Sequence, residues 1–291
     1  MVYHFVKALG WLARLLPRGA RNALGDFLGA AVWPLVPAKR REMAVANVIA
    51  SFGLDRSAAL ALVRRSAVRF GRMFLDVLCL PGLTADNVGR FVILRGRENL
   101  EEALGHGHGA IITTAHTGNW ELIGPALALH GFPIVGVVQR QTNAAMDRLI
   151  NEFRSVSGMH ITYKSGVREM ISLLSQGKAI GLIMDQDAKE QGIFTDFLGR
   201  PASTPQGPVV LARMKDAPIV PLFMTANADG THTLSIHPAV WVEKTADREQ
   251  DYYVTTCRLN AILETHIRAH PHEWFWLHNR WKTRPPEEKA R

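Results

Sequence analysis

From residue 91 onward, short runs rich in β-branched residues alternate with segments of helical periodicity. This alternation predicts βαβ units, whose crossover connections place the strands side by side in a parallel sheet. We therefore expect an α/β fold: a mostly parallel mixed sheet flanked by helices. The predicted strands are residues 91–94, 110–114, 134–139, 161–163, 179–184, 219–225 and 231–237.

The first eighty residues show no strand pattern and predict added N-terminal helices. The clearest helix covers residues 56–80, where apolar residues recur at helical spacing until Pro81-Gly82 ends the pattern. We divide the chain into a helical, membrane-associating region over residues 1–82 and an α/β domain over residues 83–291. With 291 residues and 47% hydrophobic content, the chain is long enough for both parts to form one structural unit.

The net charge of +8 is concentrated at the two ends of the chain. Residues 1–50 hold seven Lys or Arg against two acidic residues, and residues 279–291 hold five against two. Basic ends suit an anionic membrane or a nucleic acid. The sequence has neither a zinc-finger nor an RNA-recognition signature, so we predict no nucleic-acid partner.

The basic residues near the N-terminus alternate with aliphatic and aromatic residues. This pattern is typical of a helix at a membrane interface, although an ordinary amphipathic core helix shows it too. The most apolar window, residues 22–36, is interrupted by Asp26 and Pro34. It is shorter than the ~20 residues that cross a bilayer. We therefore expect a peripheral or monotopic protein on the cytoplasmic leaflet.

Residues 115–121, Ala-His-Thr-Gly-Asn-Trp-Glu, lie where a predicted strand ends and a predicted helix begins. His116 precedes the helix and Glu121 falls in its first turns, so we expect the chain to bend the imidazole towards that carboxylate. The carboxylate would bind one ring N–H, and the other ring nitrogen would take a proton from a hydroxyl. A structural histidine near a helix start remains the alternative. A zinc site would need a third ligand, and we predict no metal.

His116 to Glu121 resembles the H-x4-D/E motif of glycerolipid-type acyltransferases. More narrowly, it is similar to the bacterial late acyltransferases of lipid A biosynthesis, the lauroyl/myristoyl transferases. Residues 185–187 (Asp-Gln-Asp), 197–202 (Phe-Leu-Gly-Arg-Pro-Ala) and 276–285 agree with that family, in its order. The resemblance implies a glycerolipid-acyltransferase-like fold. It also implies transfer of a fatty acyl group from acyl carrier protein to a hydroxyl of a lipid A precursor or similar phosphorylated glycolipid.

The resemblance and the residue pattern together give a set of candidate site residues. The catalytic candidates are His116 and Glu121. The substrate-binding candidates are Arg140, Arg154, Asp185, Gln186, Asp187 and Arg200. An arginine near a strand end suits a phosphate, because its planar fork gives bidentate charge-assisted bonds; a surface ion pair is the alternative.

Asp185 follows a predicted strand, and several roles fit that position. It is compatible with a divalent cation and with a pairing to Arg154 or Arg140. The resemblance favours support of an arginine, or contact with substrate, without a metal. Residues 192–200 are predicted to form a loop over an acyl chain, with a packed core loop as the alternative.

Two further expectations concern the tail and the chemistry. Trp274, Phe275, Trp276 and Trp281, with the basic residues Arg280, Lys282 and Arg284, are compatible with an aromatic–basic belt at the lipid headgroups. The alternative is that the aromatics pack under the sheet edge and the basic residues lie in water. The sequence has no GxSxG elbow, so we favour direct attack by the acceptor hydroxyl over a covalent intermediate. Backbone N–H groups near Gly118, or Arg154, are the candidate donors to the oxyanion.

We expect no cofactor, with acyl carrier protein or coenzyme A carrying the acyl group as cosubstrate. The expected partners are acyl carrier protein, a lipid or glycolipid acceptor and the membrane surface, at the cytoplasmic face of the inner membrane. The alternatives are an acyltransferase for another membrane acceptor (a phosphoinositide mannoside, a lysophospholipid or an aminolipid) and a membrane-associated esterase that uses the same histidine and acid.

Overall fold

The computed structural model describes residues 2–139, 142–155 and 157–286. The helices there are α1 Val2–Leu15, α2 Arg18–Val32, α3 Ala38–Phe52, α4 Arg56–Val68, α5 Phe70–Cys79, α6 Arg97–Gly105, α7 Trp120–Leu129, α8 Ala144–Ser155, α9 Val167–Ser175, α10 Gly207–Lys215 and α11 Arg248–Ala269. The strands are β1 Val92–Arg95, β2 Ala110–Thr114, β3 Ile134–Val138, β4 His160–Tyr163, β5 Ala179–Ile183, β6 Ile193–Phe197, β7 Arg200–Thr204, β8 Ile219–Ala226 and β9 His232–Ile236.

Seven strands form one sheet in the order β1-β9-β8-β2-β5-β3-β4. All neighbours pair in parallel except β8 and β9, which are antiparallel. Both faces are covered: α7 packs on one and α9 and α10 on the other, which explains why β2 is buried along its whole length. The prediction of a mostly parallel mixed sheet flanked by helices is confirmed, and the predicted strand ends are correct to within one residue.

The N-terminal helices pack against one another through glycines. A Cβ on Gly29 would lie 1.9 Å from the Val68 carbonyl oxygen, and one on Gly71 would lie 1.9 Å from the Gly25 carbonyl oxygen. The missing side chains therefore let α2 approach the backbone of α4 and α5. The predicted helix over residues 56–80 is present as α4 and α5, which Arg69 separates. The division at residue 82 stays a prediction.

Residues 192–200 do not form the predicted loop. Their strand β6 pairs with β7 in an antiparallel hairpin, from Ile193↔Thr204 to Phe197↔Arg200. The turn residues Leu198 and Gly199 both have positive φ, as a two-residue hairpin turn requires. A leucine is unusual in such a turn, which is why the sequence did not predict the hairpin.

No single helix in the described ranges is long and apolar enough to cross a bilayer. One bent pair passes the same length and composition test together: Ala38–Phe52 with Arg56–Gly82, at an angle of 115°.

Candidate active site

The register of the sheet brings His116 and Asp185 together. β2 and β5 are parallel neighbours, and their last residues, Thr114 and Ile183, lie opposite each other. His116 and Asp185 each stand two residues beyond those partners, so both emerge at the carboxyl edge of the sheet. Active groups gather at this edge in open α/β sheets.

Asp185 holds the imidazole through two contacts. Its Oδ1 lies 2.8 Å from Nδ1 of His116, and its Oδ2 accepts the backbone N–H of His116 at 2.9 Å. The indole N–H of Trp274 donates to the same Oδ2 at 2.8 Å. Nε2 of His116 is therefore the ring nitrogen directed towards a substrate, and it lies 3.4 Å from the side-chain nitrogen of Gln186.

The two groups shift each other's pKa. Burial lowers the pKa of His116, but the charge and hydrogen bond of Asp185 outweigh it, and the pKa is raised above 6.5. Burial raises the pKa of Asp185, but the His116 charge and the His116 and Trp274 hydrogen bonds hold it below its usual 3.8. The pair therefore resembles a general base held in one tautomer by a buried carboxylate.

The predicted hydrogen bond between His116 and Glu121 is wrong. The Glu121 carboxylate instead receives the guanidinium of Arg154, at 2.9 Å from Nε and at 2.6 and 2.8 Å from Nη2. Glu121 lies on α7, which leads away from β2 towards α8. Asp185 instead follows β5, the strand that pairs with β2 in register. The negative charge of Glu121 still helps to raise the pKa of His116.

The other substrate-binding candidates lie apart from the imidazole or outside the described residues. Asp187 accepts from the Thr283 hydroxyl at 2.9 Å and so fixes the C-terminal segment. Arg200 donates to Asn47 and Ser51 and stacks on Trp281, with its guanidinium 3.6 Å from the ring centre. The structure does not bring Arg200 to the site. Arg140 lies outside the described residues.

Aromatic rings surround the imidazole. Trp120 meets it edge-on at 4.9 Å between ring centres, and Phe275 lies 6.5 Å away. The backbone N–H of Phe275 donates to the carbonyl of His116 at 3.0 Å. The C-terminal segment therefore forms one wall of the site. No local sequence pattern around Trp274 and Phe275 predicted this contribution.

Most of the aromatic side chains of the C-terminal segment are buried and do not form a belt at a lipid surface. Trp274, Trp276 and Trp281 are nearly inaccessible, and Arg280 is fully buried, where its guanidinium donates to Thr204 Oγ1 at 2.6 Å. The packing alternative is therefore correct for the three tryptophans, whereas Arg280, which that alternative placed in water, is buried with them. The three indoles pack with residues of the β6–β7 hairpin, and that of Trp274 supports Asp185.

The backbone N–H of Gly118 is not available to an oxyanion, because it donates to the Glu273 carbonyl at 3.0 Å. Gly118 has φ +56°, and a Cβ there would lie 1.9 Å from the Met224 carbonyl oxygen. The position therefore requires glycine for the turn that carries the chain from β2 into α7.

An apolar pocket of about 100 Å³ opens beside the Glu121–Arg154 pair. It lies between α7 and the sheet, where Gly124, Gly136 and Gly181 leave space and Met159 fills part of it. Apart from Thr114 and the ion pair, its walls are apolar, so it suits a hydrocarbon chain. The described residues hold no cluster of three or more His, Cys, Asp or Glu that is arranged for a metal ion.

Comparison with known proteins identifies the family of the chain. A family model described as bacterial lipid A biosynthesis acyltransferase matches residues 1–283. The chain is 26% identical over 284 residues to the phosphatidylinositol mannoside acyltransferase of Mycobacterium tuberculosis H37Rv, covering 94% of this chain and 87% of the relative. It is 25% identical over 294 residues to the lipid A biosynthesis palmitoleoyltransferase of Escherichia coli K12, covering 96% and 90%.

One solved structure, the 1-acyl-sn-glycerophosphate acyltransferase PlsC of Thermotoga maritima, matches 89% of this chain and 99% of its own at 14% identity and a TM-score of 0.38. The family match extends over nearly the whole sequence and includes every residue of the His116 site. The chain belongs to the bacterial lipid A biosynthesis acyltransferase family and is an acyl-transferring enzyme.

Proposed function

We propose that the protein transfers a fatty acyl group from acyl carrier protein to a hydroxyl of a lipid A precursor or a similar phosphorylated glycolipid. The observation that carries the proposal is the imidazole of His116, which Asp185 holds at a sheet edge. Trp120, which contacts that imidazole, also lines the apolar pocket. Family membership supports acyl transfer, and the positive chain ends suit an acidic carrier protein and an anionic membrane surface.

In the proposed reaction, Nε2 of His116 takes the proton of the acceptor hydroxyl, and the oxygen attacks the thioester carbonyl. The tetrahedral species collapses to the new ester, and the imidazolium returns its proton to the departing thiolate. Asp185 keeps the proton on Nδ1 and stabilises the imidazolium. The amide of Gln186, 3.4 Å from Nε2, is the side-chain donor that we assign to the oxyanion.

Glu121 takes a different role from the one expected of it. Its ion pair with Arg154 lies at the entrance of the apolar pocket, and its charge helps to raise the pKa of His116. We therefore assign Glu121 to the electrostatics of the base, and Arg154 to holding that carboxylate in place. The acyl chain enters the pocket beyond them.

The test is transfer by the purified full chain, with acyl-loaded carrier protein as donor, a lipid A precursor as acceptor and mass spectrometry of the lipid product. His116→Ala lowers turnover by about 10²–10⁴-fold, the range for loss of a positioned base. His160→Ala is the matched control, because that exposed histidine also pairs with a carboxylate but lies on β4. A wild-type protein that acylates no phosphorylated glycolipid contradicts the proposal, and a fully active His116→Ala enzyme contradicts the mechanism.

Two observations support other reactions, which the same experiment tests. Relatives named phosphatidylinositol mannoside acyltransferase make a mannosylated phosphoinositide the second acceptor to assay. The same His116 and Asp185 pair also suits an esterase that activates water. Free fatty acid as the main product, with acceptor present, would identify the esterase.

A further inference from the structure

A second cavity, of about 840 Å³, opens on the other side of the active-site turn. It lies between α2, the α4–α5 stretch and the loop after β8, and Gly118 and Asn119 of the motif form part of its wall. Its volume is within the range of sites for small molecules. Among the described residues, it shares no wall residue with the apolar pocket.

Four arginines line this cavity: Arg64, Arg65, Arg69 and Arg72. Positions 65, 69 and 72 are spaced by four and three residues along α4 and α5, so they share one helix face. Such a stripe of guanidinium groups would repel itself unless acidic groups or a bound anion lay opposite it.

The acidic residues of the wall already have partners in the protein. Asp26 pairs with Arg72, Asp76 lies 3.1 Å from His232, and Glu273 lies 3.3 Å from His272. Arg64 and Arg65 form no ion pair within residues 2–139, 142–155 and 157–286. The cavity therefore keeps an excess of positive charge after its internal pairs are counted.

Arg69 gives an independent sign of a missing partner. Its Nη1 donates to the carbonyl of Gly118 at 2.6 Å, whereas its buried Nε and Nη2 have no hydrogen-bond partner in the protein. Burial lowers the pKa of Arg69 to about 10, against the opposing charge of Glu273. Buried N–H groups without acceptors are costly, so an acceptor oxygen from a ligand would stabilise them.

Polar groups continue around the wall. Asn22 contributes an amide to the cavity wall, and two further wall atoms, Oδ1 of Asn119 and Nδ1 of His232, are buried without a partner. Amides of this kind hydrogen-bond to sugar hydroxyls, and guanidinium groups bind phosphate oxygens in a bidentate manner. The wall thus combines groups for both halves of a phosphorylated sugar.

We propose that this cavity binds a phosphate ester of a substrate, with the phosphate oxygens on Arg64, Arg65 and Arg69. The amide of Asn22, and a volume larger than a phosphate needs, favour the sugar headgroup of the acceptor lipid as its source. The identity of that source rests on the proposed function. The phosphodiester in the pantetheine arm of an acyl donor has the same chemistry, and the experiment separates the two.

The first test is binding, which does not depend on acyl transfer. Glucose 1-phosphate and glucose are titrated into the full chain and followed by calorimetry or phosphorus NMR. The phosphorylated sugar binds the wild type at least tenfold more tightly than glucose, and the Arg64→Ala/Arg65→Ala variant loses at least tenfold of that affinity. Arg56→Ala is the matched control, because this residue lies on the same helix but pairs with Glu42 outside the cavity.

Equal affinity of the wild type and the double variant for glucose 1-phosphate overturns the proposal. Because the assay needs no acyl donor, a positive result with an inactive protein would refute the proposed function and leave the site intact. Arg64 and Arg65 are exposed, so their substitution leaves the fold unchanged, which circular dichroism verifies.

The second test identifies the source of the phosphate by steady-state kinetics. With a phosphorylated acceptor, the double variant raises the KM at least tenfold and leaves kcat within about twofold. With the dephosphorylated acceptor, wild type and variant have the same KM. A rise confined to the KM of the acyl donor assigns the cavity to the donor's phosphodiester, and unchanged KM values for both substrates overturn the proposal.

Discussion

Asp185 sets the basicity of His116 from the neighbouring strand. Without that carboxylate, burial among Trp120 and Phe275 would lower the pKa of the imidazole, because a protonated ring is poorly solvated there. With it, the pKa is raised above 6.5. The imidazole is therefore a stronger base than a free histidine, and it must lose its proton before it accepts one from a hydroxyl.

The pH dependence of kcat/KM tests this relation. In the wild type, activity falls as the pH falls through a pKa above 6.5, because His116 becomes protonated. Asp185→Asn removes the charge that opposes the effect of burial on the pKa of His116, so the acid limb of the pH profile moves to lower pH. The maximal rate drops about 10²–10⁴-fold.

Glu169→Gln serves as the control for the pH profile. It removes the carboxylate of the exposed His160–Glu169 pair and leaves the profile unchanged. An acid limb that stays in place in Asp185→Asn would show that Asp185 does not set the pKa of the base, whatever the loss of rate.

Helix α7 and the strands beneath it shape the apolar pocket through glycines. A Cβ on Gly124 would lie 2.3 Å from the sulfur of Met159, and one on Gly136 would lie 3.2 Å from its terminal methyl. Met159 therefore occupies the gap that the glycines leave between helix and sheet. Methionine is flexible enough to fill such a gap and to yield part of it.

Met159→Ala deepens the pocket, so we expect the optimum of kcat/KM to move to acyl donors at least two carbons longer. The measurement is a series of saturated donors assayed with one acceptor. Met170→Ala is the control, because this buried methionine lies in the core on the opposite face of the sheet. Each substitution costs stability by about 2–5 kcal/mol. A shift that both variants share, or that neither shows, would place the acyl chain elsewhere.

At the scale of the whole molecule, one surface is unusually apolar. The side chains of Phe5, Trp11, Leu15 and Phe27, on α1 and α2, are 62%, 56%, 63% and 68% exposed. Basic residues lie among them along the same two helices, including Lys7 and Arg18. Exposed aromatic and basic residues on amphipathic helices suit the headgroup region of an anionic bilayer. We propose this surface as the membrane contact.

Flotation of the purified chain with lipid vesicles tests the membrane contact. The wild type binds phosphatidylglycerol vesicles more tightly than phosphatidylcholine vesicles, because the basic residues add to apolar burial. Phe5→Ser/Trp11→Ser/Phe27→Ser lowers the partition coefficient more than 100-fold, at about 1.5–3 kcal/mol for each buried side chain. Val254→Ser on α11 is the control, since this residue is similarly exposed away from α1 and α2. Equal partition of the triple variant and the wild type would contradict the assignment.

Local pattern alone determined which segments form the seven strands of the main sheet and where His116 lies in the sequence of elements. Strand and helix periodicity is a property of neighbouring residues, so β2, β5 and α7 were predictable from residues close in sequence. The same is true of the strand end that carries His116. The resemblance in four short motifs was enough for the family, which the match over residues 1–283 confirms.

The tertiary structure alone decided which acid holds His116. The pairing with Asp185 depends on β5 entering the sheet beside β2 in a set register, across 69 residues of sequence. The only signal for it was that His116 lies two residues past one predicted strand and Asp185 directly follows another. The support from Trp274 and the arginine-lined cavity depend on segments still farther apart, the C-terminal tail and helices α2, α4 and α5. Periodicity carries no information about such contacts, because they are fixed by how whole elements pack.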